Sequence, residues 1–596
     1  MGIKGLSGFV HRYPKPLLED INVSDTKVII DGSELLYFLY YESGHLDFRC
    51  GGDYTSFRST IQQFAEALNR CRIRPYVVFD SFKSENNIQK YLKDRTAKLG
   101  GIRELVNTGD TRIRAKPLLG KVVLTQTLTE LDVPFIVVPG DADAKIAAIA
   151  NELDAMVLAS DTDFCIFEVK KGFLFMSDFK WQGVTESERS CRGKIFRQSI
   201  LEITFGTPRN ALSVLEPLMS KQDGIIGENF EDFLQLLPRE VRLPRNLPRK
   251  FRRPNTIECA LVWLARYQDN DQIIRLIEAK TTNFPEEKFR ECLRIYQDLP
   301  DIQSFMDTLL NGGESADIKP YCFETIEGMQ EPVSFMPLMV DNPENNSSHA
   351  ASFSIRQSFY ELGCIIDFKG EEKDNVVERR IVEMDRIGQN YGAKVMTVTV
   401  PNSDRTEELH LEMTREELRV CDTREVIMAA REEYLTKAMI QNRDFSDAAV
   451  VGEENKLLVL SIYSWARCQD QTPLDEVCKA LALTFSCSYH DISGKSLPDA
   501  FRRISDDSYD KVALHFSAQW QAIICEAMRL NNLLECPIPN SKVGHLFSGT
   551  LFQKAHAFFL QNEDLTNDDV VDLLFHDLEQ PKQFFEKVLD VMIRGQ

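Results

Sequence analysis

Four aspartates in the stretch VPGDADAKIAAIANELDAMVLASDTDFCIFE form two D-x-D pairs, Asp141/Asp143 and Asp161/Asp163, each following an apolar run. Two more, Asp31 and Asp80, close the apolar runs KVIID and PYVVFD. Carboxylates gathered in such number repel one another and stay ionised together only if cations neutralise them. The set contains no histidine or cysteine, so it suits hard, oxygen-seeking ions, Mg2+ or Mn2+, and not zinc. Two such ions about 4 Å apart are the usual means of in-line phosphodiester cleavage, one activating water and one stabilising the leaving oxygen. A lone aspartate after a strand is more simply a helix cap. Six of them at four successive strand ends are poorly explained that way.

The elements that must position these acids alternate. Short apolar, β-rich runs at 27–31, 75–80, 134–139 and 155–161 are separated by helical patterns at 55–70, 88–107, 117–131 and 142–153. Continuous apolar strands between helices predict an α/β domain with a mostly parallel sheet covered on both faces. Ligands of such sheets sit beyond the carboxyl ends of the strands, where the six acids lie. From about 196 onward the pattern is helical, with a weaker strand-like patch at AKVMTVTV, 393–400. The polar stretch VDNPENNSSHAA reads as a linker. The expected division is 1–225 for the α/β domain, 226–340 for a helical extension, 341–352 for the linker and 353–596 for a mainly helical C-terminal domain. The helix around Trp520 reads as packing core, and His490, His515 and His545 have no ligand spacing.

The 596 residues are 43% apolar, enough for two or three domains, and no apolar run approaches the length of a membrane span. No basic-then-apolar leader is visible, so the expectation is an intracellular protein. Fourteen scattered cysteines without a C-x-x-C pair read as reduced thiols, not as a disulfide frame or zinc site. The net charge of −21 argues superficially against nucleic acid, but the charge is unevenly spread. Residues 1–255 carry 36 Lys and Arg against 33 Asp and Glu, a balance of +3, which leaves −24 for the remainder. Within the first part, RLPRNLPRKFRRP at 242–254 sets six cations, Arg249, Lys250, Arg252 and Arg253 among them, in thirteen residues without an acid. Such a stretch tracks a nucleic-acid backbone, serves as a nuclear import signal, or is a solvated loop. YLKDRTAKLGGIR places Lys93, Arg95, Lys98 and Arg103 shortly after Asp80, where they read either as a phosphate-binding face or as an ordinary solvated helix face.

Several of these segments carry a resemblance. MGIKGL, IIDGSELLY, VVFDS, PGDADAKIAAIA and ASDTDFCIF resemble the nuclease regions of the flap endonuclease/XPG family of PIN-like nucleases. GGDYTSF, LKDR, SIRQSFYELG and QWQAIICEAMRLNNLL followed by LFSGTLF resemble its asteroid-homologue branch in particular. The resemblance implies a PIN-like domain in which Asp31, Asp80, Asp141, Asp143, Asp161, Asp163 and a seventh acid, Asp223, hold two Mg2+ or Mn2+ ions. It implies that Gly2 lies near the active site and that Arg95, flanked by Lys93 and Lys98, steers the scissile phosphate. The implied activity is structure-specific endonucleolytic cleavage of single-stranded or 3′-overhanging DNA in double-strand break repair. DNA and possible repair-complex proteins would be the partners and the nucleus the location, with no membrane and no small-molecule cofactor.

Three departures from the family pattern bear on substrate. Asp replaces Glu at 141 and 143, the glycine usual before the seventh acid is replaced in SKQD, and the segment from Asp80 to Asp141 is compact. A glycine-rich duplex-gripping motif is not recognisable after Asp223, so single strands suit the chain better than duplexes or threaded flaps. The alternative is a non-catalytic PIN-like adaptor in growth-factor (EGF receptor) signalling. Acid retention separates the two readings, since a scaffold gains nothing from carboxylates that repel one another.

Overall fold

The computed structural model describes residues 3–81, 88–219, 249–310, 332–367, 377–400, 408–440, 452–468 and 475–595, apart from short stretches within these; side chains are described from 92 and from 256 in the two segments that open on a helix. The described residues gather into two compact units, each assembled from separate stretches of chain. The first comprises Met1–Glu42, Gln62–Lys83 and Leu128–Ser315; the second comprises Ser43–Ile61, Ser84–Thr127 and Ala316–Gln596.

A seven-stranded sheet organises the first unit. Its strands are β1 (Glu19–Val23), β2 (Thr26–Asp31), β3 (Ile73–Asp80), β4 (Phe135–Val138), β5 (Met156–Ala159), β6 (Phe173–Phe175) and β7 (Cys191–Phe196). They lie in the order β1-β7-β6-β5-β2-β3-β4. The five strands from β6 to β4 are mutually parallel, and β7 and β1 continue the sheet antiparallel. The apolar residues of β2, Val28 to Ile30, are fully buried, as a strand covered on both faces requires. Ile29, Val78 and Val138 share one core with Ile257, Leu261, Ile273, Ile277, Phe289 and Leu293. These last come from the helices Arg249–Leu264, Asn270–Glu278 and Glu286–Gln297, so the helical stretch continues the core of the α/β sheet.

The second unit is mainly helical around the 23-residue helix Lys511–Leu533. Trp520 on this helix is fully buried and donates through Nε1 to the Ser461 hydroxyl at 3.1 Å. The early segment 43–61 packs here: Gly549 donates its amide to the Gly52 carbonyl at 2.8 Å, and a Cβ at 549 would lie 2.1 Å from the Cys50 carbonyl oxygen. A three-stranded sheet, β8 (Val333–Phe335), β9 (Val377–Ile387) and β10 (Asn390–Val400), completes the unit in the order β10-β9-β8. The strand-like patch at 393–400 lies in β10, whereas β9 had no apolar signature.

The stretch 341–352, expected as a linker, is largely buried, with Glu344, Asn345, Asn346 and Ala350 exposed. Asp341, Asn342, Ser348, His349 and Ser352 are all buried. Asp341 accepts from Arg386 Nη2 at 2.7 Å and from the Ser348 hydroxyl at 2.9 Å. Polar residues are buried when hydrogen bonds replace their water, so a polar composition alone misplaced this segment. Among the described residues no helix is long and apolar enough to cross a membrane.

Candidate metal centre

Four adjacent parallel strands, β5, β2, β3 and β4, deliver their acids to one edge of the sheet. Asp31 ends β2 and caps the helix Gly32–Tyr37, its carboxylate accepting the Glu34 amide at 2.9 Å. Asp80 ends the neighbouring β3 and accepts from the Ser33 hydroxyl at 2.5 Å. This closeness needs the glycine between Asp31 and Ser33, because a Cβ at Gly32 would lie 2.5 Å from the Phe79 ring. Asp141 follows β4 and accepts the amide of Asp143, the first residue of the helix Asp143–Glu152. Asp161 follows β5, is buried, and caps the turn Thr162–Cys165 by accepting the Asp163 amide at 3.1 Å.

Carboxylate oxygens of Asp143, Asp161 and Asp163 lie within 4.8 Å of one another. Burial, with the charges of Asp80 and Asp161 behind it, raises the Asp31 carboxyl to about 6. Burial and then Asp161 raise Asp163 to about 7. Asp143 is pushed well above the carboxylate range by burial, and after it by Asp141, Asp161 and Asp31. The charges that act on Asp31, Asp143 and Asp163 thus come mainly from within the predicted set, Asp80, Asp141 and Asp161 among them. Asp163 Oδ1 is buried without a hydrogen-bond partner among the described residues. An all-oxygen donor set with an orphaned buried acceptor fits a hard divalent cation.

Sequence reasoning missed four neighbours of this cluster. Glu34 is raised to about 8 by burial and next by Asp31, and its Oε2 accepts the Ser160 amide. Its spacing, one helical turn after Asp31, was the available signal. Tyr296 and Glu216 both act on Asp163, and burial followed by these carboxylates pushes the Tyr296 phenol up. Neither has a local signature, since they arrive from distant helices. Lys145 donates through Nζ to the carbonyls of Pro139 and Asp141 at 2.7 and 2.9 Å, bracing the loop that carries Asp141.

The predicted basic residues are placed as follows. Lys93, Arg95, Lys98 and Arg103 lie on the helix Ile88–Thr108 of the second unit. The Arg95 guanidinium sits 5.9 Å from the centre of the Tyr391 ring, and Arg103 donates to the Gly388 carbonyl at 2.7 Å. Two of the four thus engage the β9–β10 turn, while Lys93 and Lys98 are exposed. Arg249, Lys250, Arg252 and Arg253 begin the helix Arg249–Leu264, their side chains outside the described residues. Gly2 and Asp223 also lie outside them.

Residues 79–218, from Asp80 past Asp163, match the family described as XPG domain containing, and residues 496–594 match the Asteroid N-terminal domain. An XPG-like region and an Asteroid N-terminal domain thus share this chain. Human single-strand DNA endonuclease ASTE1 is 25% identical over 591 residues, covering 92% of this chain and 85% of that protein. Protein asteroid of Drosophila melanogaster is 30% identical over 170 residues, 28% of this chain and 20% of that one. The solved catalytic core of Rad2 in complex with DNA substrate aligns with 52% of this chain and 100% of its own, at 15% identity and a TM-score of 0.28. Asp80, Asp141, Asp143, Asp161 and Asp163 lie inside the XPG match, Asp31 lies before it, and the central buried helix, Lys511–Leu533, lies inside the Asteroid match.

Proposed function

We propose that this protein is a divalent-metal-dependent DNA endonuclease that cuts single-stranded or 3′-overhanging DNA, acting in the nucleus in double-strand break repair. The convergence of Asp31, Asp80, Asp141, Asp143, Asp161 and Asp163 on one sheet edge carries this reading. The human relative, a single-strand DNA endonuclease, supports single-stranded DNA as substrate. The six aspartates, joined by Asp223, would hold two Mg2+ or Mn2+ ions; when bound, these supply an activated water and charge stabilisation at the leaving oxygen. The chain's own residues set the ligands. Ser33 fixes the Asp80 carboxylate, the Glu34 and Asp163 amides fix Asp31 and Asp161, and Tyr296 orients Asp163 from behind. Such supporting contacts typically matter nearly as much as the ligands they orient.

Cleavage assays on single-stranded, 3′-overhang, 5′-flap and hairpin DNA, with Mg2+, Mn2+ or EDTA, test the reading. Asp161→Ala should lose cleavage by a thousandfold or more, at about 1.4 kcal/mol of barrier per tenfold. It should bind DNA as well as wild type or slightly better, because one anion has left a phosphate-binding cleft. Wild type inert on every substrate with both metals would return the protein to the adaptor reading.

A further inference from the structure

The central strand β2 stops pairing before its neighbour has delivered its acids. Its parallel ladder with β5 ends at Ile30 and Leu158, and its ladder with β3 ends at Asp31 and Val78. Beyond those pairs the chain turns into the helix Gly32–Tyr37, while Ser160 still separates β5 from Asp161. Successive amides of a strand point to opposite edges. Val157 turns its amide to the Gly172 carbonyl at 3.1 Å, on the β6 side, so Ser160 presents its amide to the side of β2. There the strand has already ended, and the Glu34 side chain takes the amide through Oε2.

Glu34 is not one of the three carboxylates gathered within 4.8 Å, which are Asp143, Asp161 and Asp163. It is half-buried, and the charges of Asp31 and Asp161 both act on it. A carboxylate is an unfavourable way to fill such a space, since burial and like charge both oppose its ionised form. An apolar side chain would pack there without either penalty. What it would lack is an acceptor that reaches the next strand end. The preceding residue ties the opposite flank, where the Ser33 hydroxyl donates to Asp80 Oδ1 at 2.5 Å. Two consecutive residues thus join the end of β2 to the ends of β3 and β5.

We infer that Glu34 is a positioning residue of the metal centre: its carboxyl oxygen replaces the strand carbonyl that β2 no longer offers, holds the Ser160 amide, and so sets where Asp161 and Asp163 lie relative to Asp31. The role resides in the acceptor and its reach, not in the charge. Its consequence for cleavage rests on the proposed metal-dependent chemistry; the clasp itself does not.

Three substitutions separate reach from charge. Glu34→Gln keeps the acceptor and the length without the charge, Glu34→Asp keeps the charge one methylene short, and Glu34→Ala keeps neither. Hydrogen exchange of the Ser160 amide in the full-length, metal-free protein reads the clasp directly. It should be as slow in Glu34→Gln as in wild type and roughly tenfold faster in the other two, as expected when a local opening is made easier. In Mn2+ titrations followed by electron paramagnetic resonance, Glu34→Gln should stay within about threefold of wild type and the other two should weaken roughly tenfold or more, the scale of losing a contact that orients a ligand. Cleavage rates at saturating Mn2+ should follow the same order. Circular dichroism of the same samples reports folding; should Glu34→Ala misfold, the comparison of Glu34→Gln with Glu34→Asp decides alone. Glu34→Asp equal to or better than Glu34→Gln, in exchange and in Mn2+ affinity, overturns the clasp in favour of the charge. Wild-type exchange of Ser160 in a folded Glu34→Ala overturns it outright. Mn2+ binding in the expected order without cleavage of any DNA substrate overturns the endonuclease reading and leaves the clasp standing. Cleavage and Mn2+ affinity unchanged in all three variants overturn the positioning role and leave the endonuclease standing.

Discussion

Glu34, Asp31 and Asp163 hold their protons far longer than ordinary carboxyls, to about 8, 6 and 7, because burial and mutual repulsion disfavour their charged forms. In the unfolded chain the same groups release protons near pH 4. The folded state therefore binds more protons between about pH 4 and pH 8, and the stability of the metal-free protein should fall as pH rises through that window. Thermal melts from pH 5 to 8.5 in EDTA check the direction, and Glu34→Gln should flatten the upper part of the slope. Mg2+ held by the ionised cluster would bind the native state only, so on the proposed reading it should raise the melting temperature more at pH 8 than at pH 6. A melting temperature that climbs with pH in EDTA would contradict the clustering. The six aspartates were legible because each sits in a local pattern, at the end of an apolar run or in a D-x-D pair. Glu34 had the spacing but passed for an ordinary helix residue. Tyr296 and Glu216 were invisible because only the tertiary fold brings them to Asp163.

At the scale of elements, β2 and β3 come close enough to share the Ser33–Asp80 bond because Gly32 leaves room for the Phe79 ring. Gly32→Ala should force the two strand ends apart. Cleavage should fall at least tenfold while circular dichroism stays native, and a fully active variant would remove Gly32 from the argument. The four acid-bearing strands were readable as apolar runs. β9, VERRIVEMDRI, was not, because it buries charges where a strand usually buries apolar side chains. Glu383 is buried with Arg356 at 2.6 Å and the Tyr360 hydroxyl at 2.8 Å. Removing one member of a buried ion pair strands the other charge, so Glu383→Ala should cost about 3–5 kcal/mol by urea unfolding. The double variant Arg356→Met/Glu383→Leu should recover much of that loss.

Over the whole molecule, sequence order and spatial grouping part company. A reading in consecutive domains is natural when composition changes along the chain, yet segments 43–61 and 84–127 group with residues beyond 316. Tyr54 shows why: its hydroxyl donates to Gln521 Oε1 at 2.7 Å and accepts the Leu119 amide at 3.1 Å, joining three distant segments. A chain cut at residue 340 loses the partners of both early segments. It should be largely insoluble, or melt well below the full-length protein by calorimetry, even though the carboxylate-bearing sheet lies entirely before the cut. A truncated chain that melts like the intact one would contradict this. The charge division has its own consequence: replacing Arg249, Lys250, Arg252 and Arg253 by Ala should flatten the salt dependence of DNA binding by up to roughly one unit of slope for each phosphate no longer neutralised. An unchanged slope would assign that segment to import or to a solvated loop.

The seating of Gly52 against Gly549 also sets a schedule for biosynthesis. At roughly 5–20 residues per second, the ribosome needs roughly half a minute or more between making one side of this pairing and making the other. Throughout that interval the apolar faces of Phe57 and Ile61, buried in the finished protein, wait without the later helices of their unit. Nascent chains should therefore engage holding chaperones early and release them only near termination, and a premature stop anywhere before the last helices should yield a clearance substrate and not a smaller working enzyme.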